Sequence, residues 1–271
     1  MLDGNMTKYH TEYPRAEADV VAFEREHEPK RRFTLQEAIE TESPLVPESI
    51  KTLFAIVLRE HPELGGTQFE VAREGDKRCS IGSYDILERE DGMPLPVIFL
   101  DTEDLSRFQR LIDKGLLAVK MNAEQLGLHV DEMTPELLRL FIVSHELGHI
   151  HDFVKNYLSD PDLDPWEALD EMDDHRDASM RFLPGGGLTP RDFADRIRDA
   201  KTIEEAVDRV PAIRNHPRFG EIDTVEGWID LQDEEYRTSP PESYADHFAA
   251  RLILRHADIF LPQREEIAEA A

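Results

Sequence analysis

The sequence predicts an α+β fold: a small sheet, then one strongly marked helix, then a mainly helical region. Three observations predict it. Short apolar runs between residues 68 and 100 alternate with Gly-Asp and Asp-Gly turns, as strands do. Residues 134–153 combine a capping signal with sustained helical periodicity. Beyond residue 188, apolar residues recur at helical spacing between Pro- and Gly-rich breaks.

Residues 1–33 are polar, carry both acidic and basic side chains and hold no period, which predicts a flexible arm. The remainder, residues 34–271, reads as one domain. Thr34 to Glu40 suits a short helix. After Pro44 and Pro47, residues 48–60 place Ile50, Leu53, Phe54, Val57 and Leu58 on one helical face. Gln68 to Ala72, Cys79 to Leu87 and Pro96 to Leu100 are strands, with turns at Gly75-Asp76 and Asp91-Gly92; they predict a small antiparallel or mixed sheet. Asp101 to Leu126 is helical with a break near Gly115. Thr134 to Phe153 is the best-formed helix: Thr134 caps it, Pro135 suits its first position and Glu136 complements its positive end.

Residues 159–187 read as an irregular acidic stretch closed by a flexible break at Pro184-Gly185-Gly186-Gly187. Thr189 to Val210 makes one or two amphipathic helices. A loop then leads to a last helix from Ser239 to about His256. Residues 150–241 thus form a mainly helical insertion, with Trp166 and Trp228 as its packing anchors.

Asp and Glu number 58 against 31 Lys and Arg, a formal charge of −27. A field of that sign opposes direct binding to nucleic acid, which needs clustered cations to displace counterions. Cys79 is the only cysteine, so no intrachain disulfide can form, as expected of a reducing compartment. The first residues lack an apolar signal core, and the longest apolar run, Leu53 to Leu58, is too short for a membrane span. These features predict a cytoplasmic protein without membrane contact.

The chemistry-bearing motif is His145-Glu146-Leu147-Gly148-His149. Histidines four apart lie on one helical face about a turn from each other, so both imidazoles can reach one metal ion. With a third ligand, such a site leaves zinc an open position for water, and Glu146 falls beside that water as a proton acceptor. Leu137, Leu138, Phe141, Ile142, Leu147 and Ile150 make the flanks apolar, so the motif belongs to a buried helix.

Position 155 is Lys155, so a third histidine six residues beyond His149 is absent. The segment Ser239 to Ala250 offers Glu242 and, one turn later, Asp246, on a face shared with the small residues Ala245 and Ala249. Glu242 can bind zinc while Asp246 accepts the outer N–H of a ligating histidine. Ser239-x-x-Glu242 is also a capping box, in which Glu242 only folds back on its own helix start.

These residues resemble the gluzincin metallopeptidases, whose HExxH is followed by a glutamate and, a turn later, an aspartate or asparagine. Glu242-Ser243-Tyr244-Ala245-Asp246-His247-Phe248-Ala249 is similar to the second motif of the ImmA/IrrE-type bacterial peptidases. The resemblance implies a zincin-like domain and one zinc ion held by His145, His149 and Glu242. It further implies Glu146 as general base, Asp246 behind a ligand, and a peptide or protein as substrate. It covers little more than two helices, and the 150–241 connection is longer than the family's usual one. Two rival functions are an inactive zincin-like scaffold that engages a basic partner through its acidic insertion, and a zinc hydrolase of a non-peptide substrate.

Other features stay open or structural. Asp160, Asp162, Asp164 and Glu171 have calcium-loop spacing, but Pro165 stands where glycine is required, which leaves a solvated acidic loop. His151-Asp152 and Asp173-Asp174-His175 read as surface features. Tyr236, Tyr244, His216 and His247 are unranked candidates for stabilising an oxyanion.

Overall fold

The computed structural model describes residues 31–71, 82–100 and 105–262. Strand β1 (Arg32–Thr34) runs into helix α1 (Leu35–Glu40), which Thr34 and Glu37 close with a reciprocal capping box. Helix α2 (Glu48–Glu60) follows and buries Ile50, Leu53, Phe54 and Val57. Strands β2 (Gln68–Val71), β3 (Gly82–Glu88) and β4 (Pro94–Leu100) complete, among the described residues, a four-stranded sheet of order β1-β2-β4-β3.

The sheet is mixed. β3 and β4 form a hairpin around Gly92, whose φ of 79° the tight turn requires. It is β4, the second arm, that lies against β2, and the two therefore run parallel. Pro94 and Pro96 fall in the part of β4 that extends past β2, where missing N–H donors are tolerated. Phe69, Ile98 and Leu100 face the main core, while Val97 and Phe99 pack with Leu87 and Leu95 on the other face.

Helices α3 (Leu105–Asp113) and α4 (Leu117–Gln125) flank a break at Gly115, with φ 59°. Helix α5 (Pro135–Asp152) carries the HExxH motif and continues into a π-helical turn, Phe153–Tyr157. Thr134 Oγ1 caps it by accepting the Leu137 N–H at 3.1 Å. Leu137, Leu138, Phe141, Leu147 and Ile150 join one core with Phe54, Phe69, Leu100 and Phe248.

Four sequence expectations need correction. The arm ends earlier than residue 33: Phe33 is buried in β1 opposite Phe69, so the domain starts at Arg32, and residues 1–30 lie outside the described residues. The Gly75-Asp76 turn and Cys79 also lie outside them. The acidic stretch 159–187 contains helix α6 (Pro165–Met180), capped by Asp164 onto the Trp166 and Glu167 N–H groups. Its apolar seam, Ala168, Met172 and Met180, is narrow, and the acidic residues occupy its solvated side. The Gly185 break is pinned, because Gln232 accepts the Gly185 N–H at 2.6 Å and donates to Leu188 O at 2.8 Å. Finally, helices α7 (Pro190–Ile197), α8 (Ile203–Arg209) and α9 (Ala212–Asn215) are joined by α10 (Val225–Arg237), in a region read as loop.

Trp228, fully buried, centres a separate core of Phe193, Ile197, Val207, Ile213 and Leu231, so the insertion has its own hydrophobic interior. Trp166 instead ties α6 to the hairpin through Nε1–H to Gly92 O at 2.7 Å. Helix α11 (Pro240–Arg255) then returns to pack along α5, and a short α12 (Ala257–Phe260) follows. No helix among the described residues is long and apolar enough to cross a membrane.

Candidate metal centre

The site lies where α5 and α11 touch. A Cβ added at Gly148 would stand 2.7 Å from Ala245 Cα and 2.9 Å from Ala245 O, so the absent side chain lets the two backbones meet. That approach brings Glu242 and Asp246 to the histidines of α5. At Gly82 of β3 the Ile142 side chain fills the space that a Cβ would take.

Three ligand-type side chains converge. His145 Nε2 and His149 Nε2 are 3.1 Å apart. Glu242 places one carboxylate oxygen 3.4 Å from the first nitrogen and the other 3.6 Å from the second. A tetrahedral zinc with bonds of about 2.0–2.1 Å separates its ligands by about 3.3 Å. The cradle therefore offers a donor set and a spacing that could hold a metal ion such as zinc. Ser239 sits at the N-cap of α11 without a side-chain cap bond, and Glu242 does not fold back on it. Of the two readings open for Glu242, the carboxylate takes the one directed at the histidines.

The outer partners are in place as well. Asp246 Oδ1 lies 2.7 Å from His145 Nδ1. A carboxylate can only accept, so Nδ1 carries a proton, and Nε2 is the nitrogen turned to the cradle. Gln125 holds the other Asp246 oxygen at 3.2 Å. Tyr236 donates to Glu242, and the Tyr84 ring stacks on His149 with centroids 4.8 Å apart.

Electrostatics follow from this packing. Burial pushes the Glu146 carboxyl up to about 7, against the pull of His145. Burial would lower His145, yet Asp246 and Glu242 outweigh it and raise the imidazole to about 10. His149 is lowered to about 4 by burial and by the neighbouring His145 charge. Burial alone would raise Glu242, but His145, His149 and Tyr236 hold it at about 2. Burial lifts Tyr84 to about 12.

Of the oxyanion candidates, Tyr236 reaches the cradle, whereas His216 pairs with Glu235 at 3.1 Å and His247 bonds its own helix at Ser243 O. Tyr244 faces His151, at 2.8 Å. His151, read as a surface feature, is 4% exposed and buried against Phe248. Sequence reasoning missed Tyr84 and Gln125; neither stands in a local pattern with the motif, and no sequence signal marks them. Asp173, Asp174 and His175 lie on α6, with His175 near Tyr157 OH at 3.2 Å.

Two clefts adjoin the cradle. One, of about 340 Å³, is lined by Tyr84, His149, Met172, Arg176 and Tyr244. The other, of about 240 Å³, is lined by Leu111, Val119, Phe141, His145 and Glu146. What fold and site define is a mostly helical α+β protein with a buried His₂Glu cradle flanked by clefts. No family model, curated protein or solved structure matches the chain.

Proposed function

We propose that the protein is a zincin-like, zinc-dependent peptidase whose single catalytic ion is held by His145, His149 and Glu242. The observation that carries this reading is the convergence of those three side chains at metal-ligand spacing, with Glu146 buried beside them. Bound zinc supplies Lewis acidity toward a carbonyl and lowers the pKa of water to about 7.

The chain's own residues do the rest. Glu146, buried beside the cradle, would take the proton of the attacking water and return it to the leaving amine. The backbone N–H of Tyr84 holds Glu146 in position. Asp246 fixes the tautomer and orientation of His145, and Tyr236 fixes Glu242.

A peptide substrate is favoured over a compact one because β3 is, among the described residues, the sheet edge, and Gly82 and Tyr84 abut the cradle. An extended chain can add to such an edge through backbone hydrogen bonds, with its side chains in the flanking clefts.

The test pairs metal content with hydrolysis of a mixed peptide library. Glu242→Ala is expected to lose one equivalent of zinc and its activity together. Glu146→Gln should keep zinc while its rate falls about 10²–10⁴-fold. A zinc content in Glu242→Ala equal to that of the wild type removes the ligand assignment. A zinc-bound wild type without hydrolysis of any peptide favours the scaffold or non-peptide reading.

A further inference from the structure

A second cluster of the same donor type lies on the far side of α5. His151 is two residues beyond His149, so it points away from the first cradle. There it meets His61, at the C-terminal end of α2, and Glu63, in the 3₁₀ turn Pro62–Gly66.

One carboxylate oxygen, Glu63 Oε1, stands 3.1 Å from His61 Nδ1 and 3.4 Å from His151 Nε2. One ligand atom from each of the three residues lies within 4.8 Å of the others. The two separations from Glu63 bracket the roughly 3.3 Å edge of a tetrahedral zinc site. The far nitrogen of His151, Nδ1, is held at 2.8 Å by Tyr244 OH. That is the outer hydrogen bond that orients a ligating imidazole. The two histidine rings meet edge to face at 4.8 Å, and Phe248 covers both. A cavity of about 120 Å³ opens beside them and gives room for a fourth ligand. Lys155 and Arg251 line that cavity, which suits water or a small anion in the fourth position.

We propose that His61, Glu63 and His151 form a second divalent-metal site, of zinc type, separate from the HExxH cradle. Its ligands come from the turn after α2 and from α5, with Tyr244 of α11 behind. A bound ion clamps the end of α2 to the back of the helix that carries the first cradle. The site is structural or regulatory in placement, since neither flanking cleft contains His61 or Glu63.

The test is equilibrium dialysis of the full chain at micromolar free Zn²⁺, followed by metal analysis. It is repeated with Co²⁺, whose visible absorption reports tetrahedral coordination. The wild type is expected to hold about two ions. His61→Ala and Glu63→Gln should each hold about one, and His149→Ala should hold about one. The double variant His61→Ala/His149→Ala should hold none. Glu63 is 38% exposed and its glutamine is isosteric, so this variant keeps the fold even if His61→Ala does not. Two ions retained in Glu63→Gln overturn the second site, as does a wild type with one ion lost only in His149→Ala. A single wild-type ion lost only in Glu63→Gln supports the second site and overturns the metal assignment of the HExxH cradle.

Discussion

At the scale of single residues, the cradle depends on who faces whom across α5 and α11. Asp246 touches His145 with one oxygen and Gln125 with the other, so its aim is fixed. Asp246→Asn keeps the shape but removes the charge and can turn an amide N–H toward Nδ1. Zinc affinity is expected to fall about 10–100-fold, read by competition with a chelator of known affinity. Unchanged affinity would remove the orienting role. Much of this scale was legible. His145, Glu146 and His149 are readable because four-residue spacing on a helix is a local fact. Tyr84 and Gln125 are not, because each reaches the site from an element whose place no neighbouring residue encodes, and Tyr236 was legible only as one unranked candidate among four.

At the scale of elements, the decisive contact is Gly148 against Ala245. Gly148→Ala puts a methyl carbon where the Ala245 backbone stands, so α5 and α11 must move apart. Overpacking of this kind costs about 1–3 kcal/mol. The expected result is a lower urea midpoint together with weaker zinc binding, since Glu242 and Asp246 ride on the displaced helix. A variant with wild-type zinc affinity would show that the helices need not touch there. Elements with wide apolar faces or clear caps, α2 and α5 above all, were legible. Helices α6 and α10 were not. Seams as narrow as Ala168-Met172 or Val225-Trp228-Leu231 are outnumbered by charged residues on the solvated side, and the periodicity is diluted.

At the scale of the whole molecule, Glu60 joins the early and late parts of the chain. It accepts from Arg255 at 2.7 Å and lies 2.6 Å from His256, at the end of α11. Burial would raise its carboxyl, but His256, Arg255 and Arg59 outweigh that and hold it at about 2. The folded value lies below the unfolded value of 4.5, so this group stabilises the fold fully above 4.5. That contribution fades as pH falls from 4.5 toward 2. Arg255 is largely exposed and solvent screens the pair, so the contribution is on the order of 1 kcal/mol. Glu60→Gln should lower the urea midpoint near neutral pH and shrink the difference between pH 6 and pH 3. An identical acid profile in both proteins would place the acid sensitivity elsewhere.

The sequence by itself determined what depends on neighbours within a turn or two. That includes the α+β class, the capped helix, the i, i+4 histidines with Glu146 beside the first, and the hairpin turn at Asp91-Gly92. Tertiary structure decided everything in which one local pattern has two uses. The β3–β4 hairpin can join β2 through either arm, and its packing selected β4, which made the sheet mixed. Ser239-x-x-Glu242 serves equally as a cap and as the start of a site. Close contact at Gly148 and Ala245 set two imidazoles before the Glu242 carboxylate, a stronger partner than a helix-end N–H. Packing of the end of α2 and the turn after it against α5 set His61 and Glu63 before His151, almost ninety positions later, which no spacing along the chain could have announced.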